Sequence, residues 1–238
     1  MSEIKVNKIS PATGTEITLG DTSDKFIVPS GAELEVASGA TITNAGTATN
    51  FGGGGAWIKL ASTTISSATA AVDFTGCFSS TYKVYKVFIT EVTQTNTTGS
   101  EKCLQLLVGS TAQNDSNAYK TRMHWNSNLS ATADTMWHGA REDEEGFRLN
   151  GNQGYSSQIP SSLSGEITIY NPNSNTNYTT FVSSVWQRTS PGGPYRQNHQ
   201  NSGEYDSLVS ATGLRFRLHN DDDVHAGTID IYGLTTGA

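Results

Sequence analysis

The sequence predicts an all-β protein in which a short repetitive N-terminal β stalk is followed by a jelly-roll-like antiparallel β-sandwich. Charged residues make up only 16% of the 238 residues, and Ser, Thr, Asn and Gly are abundant. No long segment has the 3.6-residue apolar period of an amphipathic helix, whereas short runs of alternating apolar residues recur between turn-rich segments. A two-layer sandwich suits such a polar chain because only alternate residues of each strand need to be apolar.

The first fifty residues carry an eight-residue repeat. Residues 26–33 read FIVPSGAE, residues 34–41 read LEVASGAT and residues 42–49 read ITNAGTAT. Each unit is a three-residue strand with a small-residue turn, and one unit alone buries too little apolar surface to offset its ordering entropy. We therefore favour three chains wound around a common axis over a flexible tail with accidental periodicity. The shared core of this trimeric stalk would contain Phe26, Val28, Leu34, Val36 and Ile42.

A run of four glycines, Gly52 to Gly55, follows the repeat. Such a run suits a flexible joint and cannot sit stably inside a strand. It lacks the Lys-Ser/Thr pair and the helix that a phosphate-binding glycine loop requires. We therefore divide the chain into an N-terminal attachment segment and stalk at 1–51, a hinge at 52–56 and a β-sandwich head at 57–238.

The head contains eight or nine strand-like runs, a number that suits a jelly roll. The clearest runs are 82–89, 103–108, 165–170, 214–218 and 227–232, with weaker ones near 57–61, 64–74, 118–124 and 178–187. The segment from Thr132 to Glu145 is expected to be a short turn at best. The segment from Gln187 to Tyr205 is predicted to be a long loop without regular structure, and such loops are often functional.

Charge and hydropathy argue against several functions. The formal net charge is −7, and no cluster of Lys and Arg of the kind that binds nucleic acid is present. No stretch approaches the roughly 20 apolar residues of a membrane span, and the N-terminus has no apolar region typical of a secretion signal. Cys77 and Cys103 are favoured as free thiols over a disulfide, since a chain made in the cytoplasm seldom forms one.

The residues that carry chemistry do not form a recognisable active site, so we expect no enzyme activity and no cofactor. The acidic run from Arg141 to Glu145 is expected to be a solvated loop, because a glycosidase needs two carboxylates held apart across a bond. Asp221, Asp223 and His225 lie in a carboxylate-rich loop between two strands, where they could gather around a divalent cation such as Ca²⁺. A solvated turn at the tip of a hairpin is the simpler interpretation of this loop.

Aromatic residues near Asn, Gln, Ser and His suggest a sugar-binding surface. Sugars stack on aromatic faces and accept hydrogen bonds from amide groups. The candidate glycan-binding residues are Trp125, Tyr155, Tyr195, Arg196 and His199. Trp186 ends the strand-like run from Thr179 to Val185 and is predicted to be a core residue.

Two stretches resemble a known family. The opening MSEIKVNKISPATGTEITLGD and the later IVPSGAELEVASGATI resemble the N-terminal segment of tail-fibre-like and other virion structural proteins of marine bacteriophages. The head segments from Trp57 to Leu60, from Asp73 to Tyr85 and from Gly227 to Leu234 resemble a β-sandwich head domain of those proteins. These motifs are structural and carry no catalytic residues.

The resemblance implies a homotrimeric, virion-exposed β protein made in the host cytoplasm. We expect a tail fibre or spike that attaches to other virion proteins through its N-terminus and presents the head to a host-surface glycan. The alternatives are a capsid decoration or cement protein, a polysaccharide-degrading spike and a calcium-dependent lectin. Neither nucleic acid nor membrane insertion is expected.

Overall fold

The computed structural model describes residues 57–94, 101–115, 118–130, 133–150, 162–188, 196–219 and 222–234. Within these ranges, residues 125–130, 133–137, 141–143, 188 and 196 are described by their backbone alone. The chain divides into two compact units, Met1–Phe51 and Gly52–Ala238, and the described residues all belong to the second. The predicted stalk, with Phe26, Val28, Leu34, Val36 and Ile42, therefore lies outside the described residues.

The described residues form antiparallel strands and no helix. In chain order, the strands are β1 (Trp57–Ile65), β2 (Ala71–Phe74), β3 (Val84–Gln94), β4 (Lys102–Val108), β5 (Thr111–Ala112), β6 (Tyr119–Ser130), β7 (Ala133–Glu144), β8 (Phe147–Arg148), β9 (Ser162–Tyr170), β10 (Asn173–Ser174), β11 (Thr179–Arg188), β12 (Arg196–Tyr205), β13 (Val209–Ser210), β14 (Gly213–Leu218) and β15 (Val224–Leu234). The all-β fold class is thus confirmed for the part of the chain that the structure describes.

The strands form two main sheets. The larger has eight strands in the order β1-β15-β3-β9-β11-β12-β6-β7, and the smaller has the order β2-β14-β4-β5 with β8 also paired to β4. The short strands β10 and β13 pair with each other. Every pairing is antiparallel, so one face of each sheet can be apolar while the other faces water.

The core lies between the two sheets, because the buried residues of both form a single hydrophobic cluster. Leu104 and Leu106 of β4 and Phe216 of β14 contribute from the smaller sheet. Ile167 of β9 and Phe181 of β11 contribute from the larger one. The period-2 alternation that predicted these strands places the apolar residues on the inner face, as expected for a sandwich.

Two segments that the sequence did not predict to be strands form strands in the structure. The segment expected to be a short turn forms β7, which pairs with β6 along almost its whole length. The predicted loop from Gln187 to Tyr205 is also wrong, because β11 continues to Arg188 and β12 begins at Arg196. Strand β12 reads RQNHQNSGEY and lacks apolar alternation. Its backbone hydrogen bonds to β11 on one side and β6 on the other do not require apolar side chains.

The acidic segment before β15 is not a hairpin tip. Strand β14 belongs to the smaller sheet and β15 to the larger one, so this segment crosses between the two layers. Asp222 is buried at this crossing, whereas Asp223 is half-buried and His225 is exposed. The passage of the chain from one sheet to the other at this point explains why Asp222 is enclosed.

The two cysteines are free thiols and both are buried. Burial raises the pKa of Cys77 to about 12 and that of Cys103 to about 11. At neutral pH both groups therefore remain in the protonated, poorly nucleophilic form. The described residues include no helix long and apolar enough to cross a membrane.

Candidate functional site

The outer face of the larger sheet carries side chains in straight rows that cross the strands. One row contains Glu166 of β9, Ser184 of β11, Gln200 of β12, His124 of β6 and His138 of β7, each directly opposite the next. The adjacent row contains Thr168, Val182, Ser202, Arg122 and Ala140 on the same strands. These rows arise because residues i and i+2 of a strand point to the same face.

The two rows line a groove with a volume of about 660 Å³. Its floor is formed by small or short side chains on the central strands β11 and β12, such as Ser184, Val182 and Ser202. Longer side chains line the groove toward its two ends, with Glu166 of β9 at one end and Arg122 and His124 of β6 toward the other. Five adjacent strands span about 19 Å, so the groove can accommodate an extended molecule lying across the strands.

Gly165 in β9 lets the floor strand β11 approach closely. Its φ of 151° is unfavourable for residues with a side chain. A Cβ atom at this position would overlap the backbone carbonyl oxygen of Ser184, which lies in the groove floor. A residue with a side chain at position 165 would therefore push β9 and β11 apart beside Glu166.

The groove combines hydrogen-bonding groups with an apolar surface. Glu166 forms an ion pair with Lys86 of the neighbouring strand at 2.7 Å, which holds the carboxylate at one end of the groove. Val182 is 49% exposed in the floor, and Trp186, four residues further along β11, is 48% exposed on the same face. Polar hydrogen-bonding side chains beside an exposed indole are the groups that bind a sugar through its hydroxyls and its C–H face.

The prediction that Trp186 is a core residue is wrong. The run that it ends has apolar residues on both faces, and its buried apolar residues are Phe181 and Val185. Trp186 is one residue out of phase with Val185 and therefore points outward. Its indole lies in register with Ser164 and Asn198, next to the row that contains Ser184.

Of the five residues predicted to bind a glycan, His199 alone has a side chain that the structure describes. Tyr155 and Tyr195 lie outside the described residues, and only the backbones of Trp125 and Arg196 are described. Within the sheet, Trp125 pairs with His199 and with Trp137. His199 has no exposed surface, so its prediction as a ligand contact is wrong.

His199 belongs to a polar region of the interior. It lies on the inward face of β12 with Gln197 and Asn201, where its Nε2 atom is 3.3 Å from Gln197 Oε1. Asn201 Nδ2 donates a hydrogen bond of 2.8 Å to the carbonyl oxygen of Leu149. Burial, and secondarily the positive charge of Lys102, lowers the pKa of His199 to about 3. The ring is therefore neutral at every physiological pH.

Lys102 is also fully buried in this region. Its Nζ atom donates a hydrogen bond of 2.9 Å to Gln94 Oε1, and its backbone N–H donates to the side chain of Asn150. Asn150 in turn donates to Gln187 Oε1 at 2.9 Å. Burial lowers the pKa of Lys102 to about 8, and the negative charge of Asp222 partly opposes this shift.

The predicted metal ligands do not form a cluster among the described residues, because Asp221 lies outside them and Asp223 and His225 belong to no group of three.

The group of possible metal ligands that the described residues do form consists of Glu101, Glu144 and His219. Both carboxylates contact the guanidinium of Arg148, which is itself buried. Arg148 Nη1 lies 2.9 Å from Glu101 Oε2, without the alignment of a hydrogen bond, and Nε donates to Glu144 Oε2 at 2.8 Å. The guanidinium thus supplies the positive charge that a metal ion would otherwise provide.

The groove residues were not predicted, because ligand-binding residues were expected in loops. Arg122, His124, Ser184, Gln200 and Ser202 are all located within strands. The available signal was the i, i+2 spacing of polar residues, as in Arg122 with His124 and Gln200 with Ser202. That spacing marks one face of each strand, but the sequence alone does not show which strands are neighbours.

Comparisons with protein-family models, with curated proteins and with solved structures found no match to this chain. Any assignment of function therefore depends on the geometry of the groove and on the residues around it.

Proposed function

We propose that the protein is a non-enzymatic structural component of a phage virion that binds a host-surface glycan in the groove on the outer face of its β-sandwich. The observation that carries the binding part of this proposal is the groove itself. It places Gln200, Ser184 and Glu166 along one line and an exposed Trp186 beside them. The virion part of the proposal rests on the resemblance of the N-terminal and head segments to phage structural proteins.

We further propose that the head has a jelly-roll-like topology and that the N-terminal repeat forms a trimeric stalk. The topology is supported by the way the chain alternates between sheets, since β1 and β3 belong to the larger sheet and β2 and β4 to the smaller. A trimer would present three grooves on one particle component. Three weak sites that bind together hold a surface far more strongly than one site does.

The chemistry of the groove favours a protein that binds a polysaccharide over a spike that degrades one. Among the described residues that line it, Glu166 is the single carboxylate, and it is paired with Lys86. Glycoside hydrolysis normally uses two carboxyl groups about 5 to 9.5 Å apart, one as acid and one as nucleophile or base.

Blocking the groove is expected to abolish glycan binding without unfolding the domain. Ser184→Phe places a ring on the floor at an exposed strand position, where Phe is well tolerated. Gln200→Ala removes a hydrogen-bonding group and is expected to weaken binding about tenfold. The measurement is binding of the full chain to an array of bacterial surface polysaccharides, with thermal unfolding of each variant as the test of folding.

Thr90→Phe is the matched control for the blocked groove. Thr90 is an exposed outer-face residue of β3 that does not line the groove, and we expect its variant to bind like the original protein. Equal binding by the Ser184→Phe and Thr90→Phe variants would refute the groove as the glycan site. Release of reducing sugar from a bound polysaccharide would instead favour the degrading spike.

Removal of residues 1–55 is expected to convert a trimer into a monomer, because the repeat is proposed to supply the association. Light-scattering mass of the full chain and of the truncated chain measures this directly. If both are trimers, the head associates by itself and the N-terminal segment is an anchor. A monomeric full chain would contradict the trimeric stalk and favour a capsid decoration protein.

A further inference from the structure

Two histidines at one end of the groove face each other across neighbouring strands. His124 of β6 and His138 of β7 are direct cross-strand partners, and both side chains are exposed on the outer face. Their ring centroids are 6.3 Å apart with an angle of 50° between the ring planes. Directly opposite residues have Cβ atoms only about 4.5 to 5.5 Å apart, so the two imidazoles are held as a pair by the sheet.

We propose that His124 and His138 form a binding site for a divalent transition-metal ion of the Zn²⁺, Ni²⁺ or Cu²⁺ class, with one ring nitrogen from each residue as a ligand. Imidazole is a preferred ligand of these ions, with metal–nitrogen distances of about 2.0 to 2.1 Å. Two nitrogens bound to one ion at that distance lie about 3.4 Å apart in tetrahedral geometry. Rings with centroids 6.3 Å apart reach this separation by small side-chain rotations, and their exposure leaves them free to make these rotations.

The surroundings determine what else the ion would contact. Gln200 is the next residue in the row and lies directly opposite His124 in β12, so its amide oxygen is the nearest further protein donor by register. The remaining coordination positions would face the groove and water, as in open metal sites. Arg122 lies two residues from His124 on the same face, and its positive charge is expected to keep the affinity moderate.

The histidine pair offers nitrogen ligands to a metal ion, whereas the two groups of acidic residues described above offer mainly carboxylate oxygens. Glu101 and Glu144 already contact the buried guanidinium of Arg148. His124 and His138, like Asp223 and His225, belong to no group of three among the described residues, so the proposed site depends on the two imidazoles and on Gln200 beside them. Ca²⁺ and Mg²⁺ prefer oxygen ligands, so they are not expected to bind an imidazole pair.

The test is isothermal titration of the full chain, purified without a histidine tag, with ZnCl₂ and separately with NiCl₂ at pH 7.5. The expected result is saturable binding of one ion per chain, with no comparable signal from CaCl₂. His124→Gln and His138→Gln are each expected to weaken Zn²⁺ binding about tenfold or more, as loss of a metal-supporting residue commonly does. The matched control is His225→Gln, which removes an exposed histidine of β15 and is expected to leave the titration unchanged.

No saturable Zn²⁺ binding would overturn the proposal, and so would Zn²⁺ binding that survives in the double variant His124→Gln, His138→Gln. Both side chains are exposed, so the variants are expected to keep the thermal unfolding midpoint of the original protein. The titration contains no glycan, so its outcome does not depend on whether the groove binds one. Failure of the metal site and failure of the glycan site are therefore separate results.

Discussion

Replacing Arg148 with methionine is expected to destabilise the sandwich by about 3 to 5 kcal/mol, because it leaves two enclosed carboxylates without their cation. Arg148 is buried, as is Glu101, and its guanidinium also contacts Glu144. Methionine keeps an unbranched apolar stem of similar length, so the loss of packing is small compared with the loss of charge compensation. The measurement is the free energy of unfolding in urea at pH 7.

Arg215→Met is the matched control. Arg215 forms a two-pronged hydrogen-bonded ion pair with Asp73, with both distances 2.7 Å, on the outer side of the smaller sheet. Because both groups are partly exposed to water, we expect this change to cost less than about 1 kcal/mol. A similar loss for the two variants would contradict the view that burial makes the Arg148 cluster important for stability.

The strands that could be predicted are those whose inner face contributes to the apolar core. Strand β14 alternates Leu214, Phe216 and Leu218 with two arginines, and the structure buries all three apolar side chains. Here the sequence pattern and the burial pattern agree because one face meets the opposite sheet and the other faces water.

The strands that were missed lie where the interior becomes polar. Three of the inward residues of β12 are Gln197, His199 and Asn201, which no hydrophobicity pattern would assign to a core. They are nevertheless buried because β12 lies between two paired strands, and Asn201 Nδ2 donates hydrogen bonds to the carbonyl oxygens of Arg148 and Leu149. A polar interior of this kind depends on contacts between distant segments, such as Asn150 with Gln187, that sequence spacing does not reveal.

The groove was unpredictable for a related reason. Its five polar row residues come from five strands, and their alignment depends on the order β9-β11-β12-β6-β7. That order places β6, an early strand, between β12 and β7, so residues more than seventy positions apart become neighbours, as Gln200 and His124 do. Local patterns identify the outward face of each strand, but only the sheet order turns those faces into a site.

Acidification is expected to destabilise the domain through His199. The ring is buried and neutral, with its pKa lowered to about 3, whereas in the unfolded chain the pKa of histidine is near 6.5. Its contribution to stability is therefore complete above pH 6.5 and is lost as the pH falls toward 3, at about 1.4 kcal/mol per pH unit. Lys102 has its effect at alkaline pH. Its pKa is about 8 in the folded protein and 10.5 in the unfolded chain, so the free energy of unfolding rises with pH between about 8 and 10.5.

Urea unfolding at pH 6.5, 5.75 and 5.0 isolates the histidine effect, because ordinary carboxyl groups titrate mainly below this window. His199→Gln keeps an amide in the polar interior and removes the titrating ring, so we expect it to flatten the decline in stability between pH 6.5 and 5.0. Lys102→Met is expected to keep most of that decline, because burial is the larger cause of the lowered His199 pKa, and to abolish the rise between pH 8 and 10.5. His225→Gln, a change at an exposed position, should alter neither. If the decline persists unchanged in His199→Gln, the acid sensitivity comes from other groups and the buried ring is protonated without cost to the fold.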